Sequence, residues 1–219
     1  MVSNINDFRK RESLTADLLR ERLAGTRLAD DPLNVTMPPG SERWPAAMRD
    51  QLAATLTPAG VLIPVMQRMS NLSVLLTQRS ADLKHHAGQI SFPGGRMEAH
   101  DDDVRGAALR ETHEEVGIEP RHVSVIGYLG AMPTITGYAV TPVVGLVSAA
   151  AELVIDRTEV EYAFEVPLEF LLDARNDQWV EREFQGRLFP MVEFHYEDQR
   201  IWGATAQMIL IFRKVLKNK

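Results

Sequence analysis

The sequence predicts an α+β sandwich, and three observations carry that expectation. Two β-rich runs, Val61–Gln67 and Leu72–Gln78, are separated only by Arg68-Met-Ser-Asn71, the spacing of a hairpin. The later chain mixes further strand patterns with a few helices, as layered α+β folds do. A length of 219 residues, 45% hydrophobic and 25% charged, suits one domain of comfortable size with a short N-terminal addition.

In chain order, Ser13 to Leu23 reads as a helix with Ser13 as its cap and Gly25 as its stop. Residues 26–45 hold Pro32, Pro38, Pro39, Gly40 and Pro45 and read as an irregular connection, with a short helix from Pro45 to Leu52 after it. The division expected is an N-terminal extension over 1–57, packed on a main domain over 58–219. After the opening hairpin, residues 104–116 place Ala108, Thr112 and Val116 in one apolar row, between N-cap candidates Asp101, Asp102 and Asp103 and a glycine stop at Gly117. Strands follow at Val123–Leu129 and Val140–Val147. Glu165 to Asp173 reads as a strand end running into a short helix with Pro167 near its first turn. Trp179–Phe184 and Arg187–Tyr196 form a hairpin around Gly186, and Ala204–Leu216 is a closing helix.

Composition excludes several function classes. The sequence has no cysteine, so disulfides, thiolate metal sites and a thiol nucleophile are out, and a reducing, cytoplasmic setting is expected. A net charge of −6 gives no basic footprint for duplex nucleic acid. No run of 18 apolar residues is present, and the first residues lack the apolar core of a signal peptide, so no membrane association is expected. An acidic protein that handles an anion needs local positive charge or a metal.

Chemistry concentrates between Phe92 and Ile118. Phe92-Pro93-Gly94-Gly95 gives a strand end and a turn where backbone can approach a ligand closely. On the helix that follows, Glu111, Glu114 and Glu115 stand at i, i+3 and i+4 and share one face. Three crowded carboxylates repel, and a hard divalent cation offsets that charge well. A Glu-rich helix alone is most often a solvated face. The joint pattern is far more specific, and it resembles the Nudix box: Arg110, Glu111, Glu114, Glu115, Gly117 and Ile118 match, with Thr112 in an apolar position. The first half departs, with one residue too many between Gly95 and Arg110, and Asp101 or Asp102 in place of a glutamate.

A second motif narrows the resemblance. Leu75-Leu-Thr-Gln-Arg79-Ser80, then Lys84, Gly88 and Phe92-Pro93-Gly94-Gly95, is similar to the signature of the coenzyme A diphosphatase branch of that family, with Lys84 where the signature has arginine. The branch commonly carries the same extra residue and the same aspartate. Thr136-Gly137-Tyr138 and Trp202-Gly203 look like its downstream segments, so the likeness spans roughly 58 to 212.

The resemblance implies a Nudix-type α/β/α sandwich with a mixed central sheet. It implies a Mg²⁺- or Mn²⁺-dependent hydrolysis of coenzyme A to 4′-phosphopantetheine and adenosine 3′,5′-bisphosphate. Glu111, Glu114 and Glu115, with the Gly94 carbonyl, would hold the metal, and Arg110 would hold a neighbouring carboxylate. Arg79, Lys84, Gly94 and Gly95 would meet the substrate. Glu159, with Glu161 as the alternative, is the later-loop candidate for the general base. A homodimer is the implied assembly. Two readings compete: an ADP-ribose or dinucleotide diphosphatase, favoured weakly by Pro133, and a non-catalytic nucleotide-binding module, disfavoured because all three glutamates are present.

Overall fold

Strand β1 (Thr57–Gln67) is buried over nearly its whole length, because both of its faces are covered. In the computed structural model, which describes residues 14–52, 55–68, 71–83 and 86–217, this strand is the axis of the fold. Alternation along it separates two layers. Val61, Ile63 and Val65 pack with Leu19 and Leu23 of α1 (Ala16–Leu23). Leu62 and Met66 face the other way, Leu62 with Ala108 and Val143, and Met66 with Val116 and Val147.

The central sheet is mixed. β2 (Leu72–Arg79) and the short β3 (Ile90–Ser91) and β4 (Gly94–Arg96) lie on one side of β1, with β4 also antiparallel to it. β5 (Val123–Tyr128), β6 (Met132–Pro133) and β7 (Tyr138–Val147) lie on the other, and β7 runs parallel to β1 from Thr57↔Tyr138 to Met66↔Val147. β8 (Val160–Pro167) adds to β2. Helix α3 (Val104–Val116) covers one face of the sheet. The other face carries α1, α4 (Leu168–Leu172) and α5 (Gly203–Lys217). A three-stranded sheet of β9 (Gln178–Phe184), β10 (Arg187–Tyr196) and β11 (Gln199–Ile201) stands beside α5. This is the α/β/α sandwich expected, with helix 104–116 at its expected bounds.

Several details differ from the sequence expectation. Ser13 lies outside the described residues, and Thr15 caps α1 instead by accepting from the Leu18 amide at 3.2 Å. The hairpin loop residues 69 and 70 are also outside them. The two- and three-residue strands β3, β4, β6 and β11 have no periodic signature of their own. They form because neighbouring strands offer unpaired backbone.

The irregular segment over 26–45 is pinned rather than loose. Tyr128 donates its amide to Thr26 Oγ1 (3.0 Å), Thr36 donates to the Ala131 carbonyl (2.7 Å), and Trp44 Nε1 donates to the Pro190 carbonyl (3.1 Å). Trp44 also packs with Met48 and Leu52 of α2 (Ala46–Leu52) and with Phe189. Among the described residues no helix is long and apolar enough to cross a membrane.

Candidate active site

Two glycines let the acidic helix come down onto the sheet. A Cβ on Gly60 of β1 would stand 1.9 Å from the Val104 carbonyl oxygen, so only glycine allows α3 to start where it does. A Cβ on Gly95 would stand 2.5 Å from Glu111 Cδ, so the carboxylate lies directly against the bare backbone of β4. Gly94, at φ +147°, is similarly hemmed in by Gly60 and Val61.

Of the three aspartates before α3, Asp103 is the cap, accepting from the Gly106 amide at 2.8 Å. Asp101 has a different task. It accepts from Arg110 Nε at 3.0 Å, from Arg110 Nη2 at 2.9 Å and from the Glu98 amide at 2.8 Å. The Arg110 guanidinium holds its carboxyl below the usual carboxylate range. Asp101 rather than Asp102 thus answers the box arginine. The remaining Arg110 donors go to Glu111 (2.8 Å), Glu114 (2.9 Å) and the Arg96 carbonyl (3.2 Å). Thr112, the departure on the apolar row, is fully buried and satisfies its hydroxyl on the Ala108 carbonyl at 2.6 Å.

Glu115 is the most constrained of the three glutamates, with a side chain only 3% exposed. Burial, reinforced by the like charges of Glu111 and Glu159, pushes its carboxyl up to about 8. The opposing contributions are Arg79, whose Nη1 is 3.5 Å from Oε1, and the Gly94 amide. Arg79 reaches it from the end of β2, where a bulge between Gln78 and Arg79 shifts the register against β8. Glu115 Oε2 and Arg79 Nε are both buried with no hydrogen-bond partner. Burial also raises Glu111, against the pull of Arg110.

The like charge of Glu159 contributes to raising both Glu111 and Glu115, whereas Glu161 is exposed and is not among their main charge neighbours. The Glu159 carbonyl accepts the Ser80 amide at 2.8 Å, which fastens its loop to the residue after Arg79. Lys84 and His85 lie outside the described residues, and His86 bonds to Gln89 (2.8 Å) in the turn before β3.

The carboxylate repulsion assigned to a metal from sequence is therefore met in part by two arginines. Among the described residues no three acidic or histidine side chains converge closely enough to enclose a cation, because Arg110 sits between Glu111 and Glu114. The donor set still suits a hard divalent ion. It is all oxygen, it sits beside a glycine backbone, and Glu115 Oε2 is buried and unspent. The role of Asp101 was open in the sequence, since two adjacent aspartates fit the same spacing. The Ser80–Glu159 link left no trace there, because it is backbone to backbone.

Comparison with known proteins identifies the family. The NUDIX domain family model matches residues 56–210. A protein of Citrobacter koseri named "Uncharacterized Nudix hydrolase NudL" is 41% identical over 151 residues, covering 69% of this chain and 78% of its own length. The protein of the same name in Pectobacterium atrosepticum is 40% identical over 153 residues, with the same coverage of each chain. Among solved structures, a MutT/nudix family protein from Enterococcus faecalis aligns at 17% identity and TM-score 0.46, over 73% of this chain and 61% of its own. The NUDIX domain of Shewanella oneidensis NrtR, solved with ADP ribose, aligns at 23% identity and TM-score 0.42, over 54% and 77%.

Proposed function

This chain belongs to the Nudix family and is a hydrolase of nucleoside diphosphate derivatives, and from that premise we propose that its substrate is coenzyme A or an acyl derivative of it. The observation that carries the reading is the contact between the two motifs. Arg79, from the segment similar to the coenzyme A diphosphatase signature, meets Glu115, the last glutamate of the box, at 3.5 Å, beside the Gly94 amide of β4.

In this reading Glu111, Glu114 and Glu115, with the Gly94 carbonyl, hold Mg²⁺ or Mn²⁺, as the family generally requires. Such an ion would neutralise the diphosphate and acidify a water held at this site. Arg110, anchored by Asp101, fixes the directions of Glu111 and Glu114. Arg79 is shared between Glu115 and a phosphate oxygen, a use open to a guanidinium with an unspent Nε. Glu159 takes the proton from the attacking water, because its charge acts on both Glu111 and Glu115 whereas Glu161 is exposed. Lys84 supplies a second cation for the substrate phosphates, without the planar fork of the arginine found at that place in the signature. Pro133, the one residue favouring ADP-ribose, is buried in β6 opposite Ala139 of β7, a place in the sheet that needs no such substrate.

The test is a side-by-side incubation of coenzyme A, acyl-coenzyme A, ADP-ribose and NADH with Mg²⁺ or Mn²⁺, read by product chromatography. The expected products are 4′-phosphopantetheine, or its acyl form, and adenosine 3′,5′-bisphosphate. Faster turnover of ADP-ribose or NADH would transfer the reading to the dinucleotide class. Binding without turnover of any of them would leave only a binding module.

A further inference from the structure

A second concave site lies away from the acidic helix, between the N-terminal segment, β9 and the last turns of α5. The cavity holds about 460 Å³, and Gly40, Glu42, Arg43, Trp179, Arg213 and Lys214 are among the residues that line it. Its position on α5 separates it from the catalytic cluster. Near the start of α5, Thr205 bonds to the Ile90 carbonyl on β3, the strand just before the glycines of β4. Lys214 lies roughly 14 Å further along the helix, at about 1.5 Å per residue.

The lining has the makings of a nucleotide site. Trp179 is half exposed, which is unusual for so large a ring, and its edge rests 3.6 Å from where a Cβ on Gly40 would be. Gly40 holds φ +84°, so glycine is the residue that lets this turn brace the indole. Arg213 is not available for a ligand: it is buried and paired with Asp177, Nη1 to Oδ1 at 2.7 Å. That pair locks the end of α5 to the start of β9 and so fixes Trp179 beside Lys214. Arg43 and Lys214 are exposed, and among the described residues neither has a carboxylate partner, while Glu42 is the one acid in the lining. A lysine near a helix C-terminus is ordinary. An arginine from a different segment and an exposed indole in the same cavity are not explained that way. Arg43, Arg213 and Lys214 all lie outside residues 56–210, so this cavity is built largely by parts of the chain beyond the family match.

We propose that this cavity is a second ligand site, taking a nucleoside phosphate with its base stacked on Trp179 and its phosphate held between Arg43 and Lys214. Stacking on an indole and charge-assisted bonds to phosphate are the two contributions such a ligand needs. The proposal does not rest on the identity of the hydrolysed substrate, and its test excludes the catalytic centre by removing metal.

The experiment is calorimetry of AMP, adenosine and inorganic phosphate binding to the full chain in EDTA, with indole fluorescence as a second readout. AMP is expected to bind with one-to-one saturation and to quench fluorescence, more tightly than adenosine or phosphate alone. The Arg43→Glu/Lys214→Glu double variant is expected to weaken AMP by about tenfold or more, the ordinary worth of a lost charge-assisted hydrogen bond. Trp179→Ala should weaken AMP and leave phosphate binding unchanged. Both variants alter exposed side chains, so melting temperature and metal-dependent hydrolysis should stay at wild-type values. No saturable binding of AMP in EDTA, equal affinity in the double variant, or phosphate binding as tightly as AMP would each overturn the proposal.

Discussion

Glu115 and Glu193 are both glutamates with side chains 3% exposed, yet burial dominates at Glu115 while hydrogen-bonded arginines dominate at Glu193, and the two are driven in opposite directions. Glu193 on β10 accepts from Arg182 Nη2 at 2.6 Å and from Arg200 Nε at 2.8 Å, with His195 Nε2 at 3.4 Å. These partners, Arg200 first, hold its carboxyl down at about 2. Glu115 is pushed up to about 8 first by burial and then by two like charges, against a single cation at 3.5 Å, and one of its oxygens has no partner. A buried carboxylate surrounded by cations is structural. One left short of positive charge marks a place where something positive is meant to arrive.

Exchanging the charge at each glutamate sharpens the contrast. Glu115→Gln should lower kcat by roughly a thousandfold, the scale of losing a principal electrostatic group, in a steady-state assay with Mn²⁺. In EDTA the same variant should melt higher than wild type at pH 8. The sign follows from the raised carboxyl: the folded state favours its protonated form, so stability present below the ordinary value is lost as pH rises through about 8. Glutamine never takes that charge. Glu159→Gln should cost about a hundredfold in kcat, the lower range for a general base, while Glu161→Gln stays near wild type in the same assay. Equal effects would remove the distinction drawn between them. Asp101→Ala should cost about tenfold in kcat/KM by loosening Arg110, a scale seen for supporting partners of a metal site, and Asp102→Ala should cost little. Glu193→Gln should leave kcat unchanged and lower stability by about 1–3 kcal/mol in urea unfolding, through lost charged hydrogen bonds. That stabilisation is present above the ordinary carboxylate range and is lost only as pH falls towards about 2.

How much of this was legible in the sequence depended on the range of the interaction. Helix α3 could be read to the residue because its cap, apolar row and glycine stop are all local. The hairpin of β9 and β10 was equally readable, since Gln185 and Gly186 adopt the positive φ that such a two-residue turn demands. The parallel pairing of β1 with β7 joins segments far apart in the chain and had no local signal. Within the site, helical spacing placed three glutamates on one face but could not show that Arg110 would take up two of them. Nor could it show that Glu115 alone would be buried with an unspent oxygen. Those outcomes depend on where β2 and β4 set Arg79 and Gly95 against the helix.

Thermal melting at pH 8 across a Mn²⁺ titration, run on wild type, Glu115→Gln and Glu193→Gln, tests the central claim most directly. Binding of metal to the folded state raises the melting temperature by mass action. Wild type and Glu193→Gln should rise with Mn²⁺, and Glu115→Gln should stay nearly flat. An equal rise in Glu115→Gln and wild type would contradict the account, because the under-compensated glutamate would then not be where the cation binds.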